Sequence, residues 1–364
     1  MQSWRTPTET EVDRAVALLL HPGQVNYFFD RLENPEWLQP LIDRHLFKQP
    51  PPPQPGDAPG TMVFFAWPQS RYLARVAASK PELALGIVNE HRECENPYVI
   101  SDFVEALGNI SPPLIGDTVS IIESWIKKGL VVFLPERLGA LVEGFAKSEM
   151  RNEALAITNT AIDVYPADKG ERIDSEDDTI RLPKQPRSYL SKWDLASLLN
   201  EHIIGLSGAI GVDLFRLLCD KLKKCIRIKR ERADEGLDDF SYIWRPTIEP
   251  SDQNLGSTIE DVIVDAVRDV GGALLSAENL HVVDELEAEP FPIFRRILMH
   301  LLESQGAQTL PVIERILVDR DNFENYRLRH EYALLLRKQF ANLGEAAREV
   351  ILDWIRQGPD LVQY

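Results

Sequence analysis

Apolar positions recur along this chain at intervals of three and four residues, the period of an amphipathic helix. Thr8 to Leu20 opens with Thr8-x-x-Glu11, a capping-box pattern, and sets Val12, Ala15, Val16 and Leu19 on one face. Val25 to Phe47 carries Tyr27, Phe28, Leu32, Trp37, Leu38, Leu41 and Ile42, a spacing that predicts two short helices broken near Asn34-Pro35. From Trp67 a hairpin rhythm sets in: Pro68 to Ser79 with Pro81 to Glu93, Pro97 to Asn109 with Pro112 to Lys128, and Pro135 to Lys147 with Met150 to Tyr165. Proline recurs where the first helical turn tolerates its missing N–H. Further on, the pattern predicts helices over Trp193 to Ile204 and Val212 to Ala233, and then a loop holding Trp244, Pro246 and Pro250. Another helix starts under Ser257-x-x-Glu260, a second capping box, and five follow at roughly 278–287, 291–304, 309–319, 323–341 and 344–357. No segment alternates with the period of a strand, and Asn-Gly and Asp-Gly hairpin turns are absent from the sequence. The expected fold class is all-α, with about twelve to fourteen helices.

Two segments interrupt the rhythm. Residues 49–60 hold Pro50 to Pro53, Pro55, Gly56, Pro59 and Gly60, which cannot be helical and predict an extended surface loop. Residues 167–188 are polar, with Asp174, Glu176, Asp177 and Asp178 clustered ahead of Pro183 and Pro186, and read as a linker. The expected organisation is an N-terminal helical array over 1–166, that linker, and a C-terminal helical module over 189–364.

Second helices of the three hairpins begin near 81, 112 and 150, separations of 31 and 38 that straddle the ~34-residue tetratricopeptide period. In the third hairpin Leu138, Leu141, Phe145, Ala154, Ala161 and Pro166 fall at the offsets where tetratricopeptide repeats place packing residues. Val142 stands where a small residue is usual and Thr158 where an aromatic is usual. The chain therefore resembles degenerate tetratricopeptide or HEAT-like repeat proteins, and the resemblance implies an irregular α-solenoid of stacked antiparallel hairpins that binds other proteins. A second resemblance rests on Phe28-Phe29-Asp30-Arg31-Leu32, on Pro35-x-Trp37-Leu38-x-Pro40-Leu41, and on Trp67-Pro68-x-Ser70-Arg71-Tyr72-Leu73-x-Arg75-Val76. These look like the opening of large, poorly characterised bacterial helical-repeat proteins. That likeness implies no chemistry; it implies a piece of a longer polypeptide in a bacterial defence or signalling assembly.

Composition sharpens the picture. Of 364 residues, 57 are acidic and 40 basic, a formal net charge of -17 that repels nucleic acid and anionic membrane surfaces. Cys94, Cys219 and Cys225 are too few, and odd in number, for a disulfide framework, so a reducing, cytoplasmic setting is expected. No apolar run approaches the ~20 residues of a membrane span, and Met1 to Asp13 lacks the apolar core of a secretory signal.

The local exception is a basic strip, Lys221, Lys223, Lys224, Arg227, Lys229, Arg230 and Arg232, seven cations in twelve positions of one helix. At 100° per residue these spread around much of the helix. The strip is read first as a solvated helix or one paired with this protein's own acids, then as a dock for an acidic protein, then as a nucleic-acid contact. Trp4 and Trp244, flanked by polar residues or proline, are the candidate exposed contacts, whereas Trp37, Trp67, Trp125, Trp193 and Trp354 read as core.

Other constellations carry less. His91 and Cys94 have the spacing of half a zinc site without the other half, so packing is the expected role. Cys219 and Cys225 face different sides of a helix and read as buried thiols. Gly205, Gly208 and Gly211 lack phosphate-loop order and predict close helix approach or a bend. The acidic group at 174–178 lacks calcium-loop spacing, and His330-Glu331 lacks a second histidine. No cofactor or metal is expected. The expected function is a non-catalytic scaffold or sensor whose partner is another protein or domain of a larger assembly. A nucleic-acid-binding module using 221–232 and an enzyme built from dispersed residues are the alternatives. Val350, Ile351 and Trp354 on the helix from Glu345 to Arg356 need a neighbour, which a following repeat or an oligomer would supply.

Overall fold

The computed structural model describes residues 4–129, 135–167, 172–174, 179–181, 185–230, 238–250 and 258–358. The chain is predominantly all-α. It divides into two units, one made of Met1–Asp163 with Tyr189–Ala209 and the other of Val164–Ser188 with Ile210–Tyr364.

The first unit contains α1 (Glu9–Ala17), α2 (Pro22–Arg31), α3 (Leu38–Asp43), α4 (Pro68–Val76), α5 (Pro81–Glu90), α6 (Pro97–Gly108), α7 (Pro112–Ile115), α8 (Val119–Lys127), α9 (Pro135–Lys147), α10 (Arg151–Ala161) and α11 (Lys192–Leu198). Local chemistry explains the boundaries. Thr8 caps α1 through the predicted reciprocal box with Glu11, Asn96 caps α6, and proline opens α2, α4, α5, α6 and α7. Alternate helices pack in succession, α2 on α4, α4 on α6, α6 on α9 and α9 on α11, while α10 packs on both α8 and α9. An aromatic chain threads this core, with ring centroids 5.6 to 6.2 Å apart from Phe29 through Phe47, Trp67, His91 and Phe103 to Trp125. In the third hairpin Leu138, Leu141, Phe145, Ala154 and Ala161 are buried, each large aliphatic or aromatic side chain among them contributing about 1.5–3 kcal/mol.

The second unit contains α12 (to which Ser207–Lys229 belongs, running in from the first unit), α13 (Ser241–Trp244), α14 (Ile259–Ser276), α15 (His281–Glu287), α16 (Pro292–Leu302), α17 (Leu310–Leu317), α18 (Arg320–Glu324), α19 (Arg329–Gln339) and α20 (Glu345–Gln357). Its core helix is α14, with Val262, Ile263, Val264, Val267, Val270 and Leu274 buried, and α14 and α19 both pack on α16. The capping box of α14 is made by Thr258 with Asp261, one residue beyond the Ser257–Glu260 pattern. Two helices expected to be continuous are split. A 3-10 turn at Gly116–Thr118 separates α7 from α8, residues 325–328 separate α18 from α19, and α13 forms where a loop holding Trp244 was expected; the described helices outnumber the expected twelve to fourteen.

The expectation of no strands is corrected. β1 (Gln54–Pro55), β2 (Met62–Val63), β3 (Val164–Pro166), β4 (Arg172–Asp174), β5 (Thr179–Arg181) and β6 (Pro186–Ser188) pair antiparallel as β1–β2, β3–β6 and β4–β5. Each is two or three residues long, too short to print an alternation in the sequence. The helix expected to reach Tyr165 ends at Ala161 for the same reason: Val164–Pro166 is drawn into β3. Residues 189–209, expected to open a C-terminal module, group instead with the first unit, because α11 and the π-helical turn Leu199–Ile203 pack on α9.

Candidate functional site

The basic strip occupies the last turns of α12, and most of its described cations are already engaged. Lys223 Nζ lies 2.8 Å from both Asp220 and Glu289. Burial works against its charge, yet these two carboxylates raise its pKa above the ordinary lysine value. Lys229 pairs with the buried Glu260 and sits 5.2 Å from the Trp244 ring centroid. Arg230 lies 5.7 Å over Phe291. Lys221 is buried, Lys224 half-buried and Arg227 exposed. Arg232 falls outside the described residues. Lys223 and Lys229 are thus held by this protein's own acids, and among the described cations of the strip Arg227 is exposed.

Trp244 is half-buried, and its indole N–H donates to the Asp239 carbonyl at 2.9 Å. It closes a turn whose outward face is aromatic. Phe240 is 43% exposed, Ile243 64% and Tyr326 47%. Tyr242 packs edge-on to Tyr326 at 5.2 Å, and Arg327 covers the Tyr326 ring at 4.6 Å. Phe240 adopts a left-handed backbone with φ 52°, which is costly for a residue with a bulky side chain. Its neighbours hold it there. Asp238 accepts from the Phe240 N–H at 3.0 Å and from Arg327 at 2.6 Å, while Asp239 accepts from the Ser241 and Ile293 N–H groups at 2.8 and 2.7 Å. Burial pushes the Asp239 carboxyl up, opposed by those two backbone donors. Sequence reading singled out Trp244 here and missed Phe240, Ile243 and Tyr326; the signal for the first two was the run Phe240-Ser241-Tyr242-Ile243-Trp244 between charged segments, and Tyr326 is brought in by the fold.

Trp4 belongs to the first unit and is 38% exposed. Of the tryptophans read as core, Trp67 and Trp125 are buried, and Trp37 and Trp354 half-buried. Trp193 is a correction: it is 70% exposed, with Lys192 Nζ 4.7 Å from its ring, because α11 buries Leu195 and Leu198 instead.

Immediately after Trp244 the chain enters a buried ionic clamp that the sequence did not announce. Arg245 is fully buried and pairs with Asp265 at 2.6 Å and Asp261 at 3.5 Å. Arg268 joins Asp265 and Asp269 at 2.5 and 2.7 Å. Arg296 forms a two-pronged bridge to Glu331, 2.8 Å on each arm, with both side chains about 1% exposed. These groups also hold backbone. Arg245 donates to the Thr247 carbonyl, Arg268 to Ile248 and Arg296 to Pro246, and Glu331 accepts the Ile248 N–H at 3.1 Å. The loop Arg245–Glu249 is therefore fixed by α14, α16 and α19 together. At its end Glu249 approaches His300 and Glu303, whose ligand-type atoms lie within 4.8 Å of one another.

The remaining candidates resolve into packing. His91 is buried, its Nε2 2.5 Å from the Phe47 carbonyl and its ring stacked 6.2 Å from Phe103. Cys94 accepts from the Asn96 N–H at 3.5 Å, and burial raises its thiol pKa. Cys219 and Cys225 are buried. Burial lifts Cys219 well above its ordinary value and Cys225 to about 12. Gly211 interrupts the helical dihedrals of α12, the bend expected of the glycine series, whereas Gly205 and Gly208 have open space where a Cβ would stand. Of the acidic linker group Asp174 ends β4; residues 176–178 fall outside the described residues. A cavity of about 330 Å³ beside the proline-rich loop is lined by Pro53, Met62, Phe64, Glu95 and Lys128.

Comparison with protein-family models, with curated proteins and with solved structures finds no match to this chain. Among the described residues no helix is long and apolar enough to cross a membrane.

Proposed function

We propose that this chain is a non-catalytic protein-interaction module, a cytoplasmic scaffold or sensor, and that its contact surface centres on the Phe240–Tyr326 aromatic platform. The observation that carries the reading is Phe240 in a left-handed conformation, held by two aspartates and displaying an exposed aromatic side chain beside Ile243 and Tyr326. Strain fixed by surrounding hydrogen bonds and bulky apolar side chains turned to solvent are both features of binding surfaces. The succession α2, α4, α6, α9, α11 supports reading the first unit as an irregular α-solenoid of tetratricopeptide or HEAT-like hairpins. The likeness of its opening residues favours a bacterial defence or signalling assembly, and the buried thiols suit a reducing compartment.

Nucleic-acid binding through the strip is the weaker reading, since Lys223 and Lys229 are held by this protein's own carboxylates. The test is an affinity capture from the native host with and without nuclease, read by mass spectrometry, using wild type, Ile243→Asp and the triple variant Lys223→Gln, Lys224→Gln, Arg227→Gln. A stoichiometric protein that survives nuclease, is lost with Ile243→Asp and is kept by the triple variant supports the platform. A complex lost to nuclease and to the triple variant replaces it with nucleic acid.

A further inference from the structure

The group formed by Glu249, His300 and Glu303 has the composition and placement of a metal centre. His300 lies in the last turn of α16 and Glu303 three residues on, so both project from one face of that helix end. Glu249 comes from the clamped loop Arg245–Glu249, whose backbone is fixed from three helices, so its carboxylate is delivered by a positioned segment.

Two atoms point to an ion. Glu303 is 3% exposed, and its Oε1 faces His300 Nδ1, which is likewise shielded from solvent. The two atoms pair across 3.4 Å, an ion-pair distance longer than that of a good hydrogen bond. A shielded pair held this loosely calls for an explanation. That separation matches the edge of a tetrahedron whose corners stand ~2.0–2.2 Å from a central zinc, an edge of about 3.3–3.6 Å. The other oxygen of Glu303 is occupied by Lys338 Nζ at 2.6 Å, which leaves Oε1 as the ligand and gives the carboxylate an outer partner of the kind that orients metal ligands.

We propose that Glu249, His300 and Glu303 form a binding site for one divalent transition-metal ion of the zinc class, ligated through Glu303 Oε1, His300 Nδ1 and a Glu249 carboxylate oxygen. One imidazole and two carboxylates favour zinc over magnesium or calcium, which prefer oxygen alone. Bound there, the ion ties the Arg245–Glu249 loop to the end of α16. Loop and aromatic turn are consecutive in the chain, so the ion also steadies the segment that follows Trp244.

The experiment is zinc titration into the full-length, chelator-stripped protein, with bound metal counted by mass spectrometry, affinity read against a chromophoric competitor, and cobalt(II) absorption as a geometry probe. The expected result is one equivalent bound at micromolar free zinc, not displaced by millimolar magnesium or calcium, with a rise in Tm. Glu249→Gln and His300→Ala should each weaken binding by at least the ~10-fold that loss of even an outer-shell partner costs. Glu249→Gln alters only a half-buried loop side chain, so it decides the matter even where a change inside α16 disturbs folding. Less than one equivalent bound by wild type, or unchanged affinity in the Glu249→Gln variant, overturns the site.

Discussion

Gly139 sits where a methyl group has no room, since a Cβ there would lie 2.2 Å from the His202 ring, near the root of that side chain. His202 cannot swing away cheaply because its Nδ1 is 2.7 Å from Glu143. Gly139→Ala should therefore destabilise the first unit by about 1–3 kcal/mol, measured by denaturant unfolding, against the small gain that alanine usually brings to a helix. The thiols make a second residue-scale prediction. With Cys219 and Cys225 buried and their pKa values raised, alkylation of the native protein at neutral pH should reach Cys94 first and the other two only on unfolding, as peptide mapping would reveal. Glu11 supplies the pH dependence. The hydrogen bond from Arg5, with those of Thr8, holds its carboxyl at about 2, below the ordinary 4.5. A lowered folded-state pKa contributes stability above the unfolded value and loses it as pH falls through the folded one. Glu11→Gln should lower Tm at neutral pH, and the gap to wild type should close between about pH 4.5 and 2.

At the scale of elements, α14 shows what a buried helix does with charge. Val262, Ile263, Val264, Ala266 and Val267 leave it apolar on most sides, yet Asp261, Asp265, Arg268 and Asp269 run along one stripe, where Asp261 and Asp265 meet Arg245 and Arg268 pairs with Asp265 and Asp269. Replacing Glu331 by Gln leaves the Arg296 guanidinium buried without its counter-charge and should cost about 3–5 kcal/mol in chemical denaturation. The double change Arg296→Met with Glu331→Leu should cost less, because an apolar pair avoids desolvating two charges. Most helix positions were legible in the sequence, since proline at first turns and the Thr8–Glu11 box are local signals. The split of α7 from α8 and the short strands were not, because two or three residues carry no period. The clamp was hidden for a different reason. Its partners stand as much as 83 residues apart, as Ile248 and Glu331 do, and only tertiary packing brings them together. The stripe Asp261, Asp265, Arg268 and Asp269 on a helix whose other positions are mostly apolar was the available hint, for such a helix is enclosed and its charges must face partners.

On the scale of the whole molecule the informative fact is the order of the chain through the two units. Residues 189–209 complete the first unit after the chain has already contributed 164–188 to the second. A fragment ending at residue 166 lacks α11 and the Leu199–Ile203 turn that cover α9. It should melt at lower temperature and bind more of a hydrophobic dye than a fragment ending at residue 209, and the reverse ordering would contradict the division. The surface candidates were partly legible at this scale. A solvated or self-paired strip was the first of three readings its sequence allowed, whereas the platform needed the fold to turn Phe240, Ile243 and Tyr326 outward together.

The same interleaving has a consequence for synthesis on the ribosome. Translation delivers the chain in one direction, so the first unit is incomplete when residue 163 emerges and waits for residues 189–209, which follow a stretch that groups with the second unit. The β3–β6 pair joins the two ends of that excursion at its base, bringing Val164 opposite Ser188 and so returning the nascent chain to the point it left. A ribosomal pause before residue 189 would hold an unfinished, sticky first unit, and a pause after 209 would release a finished one.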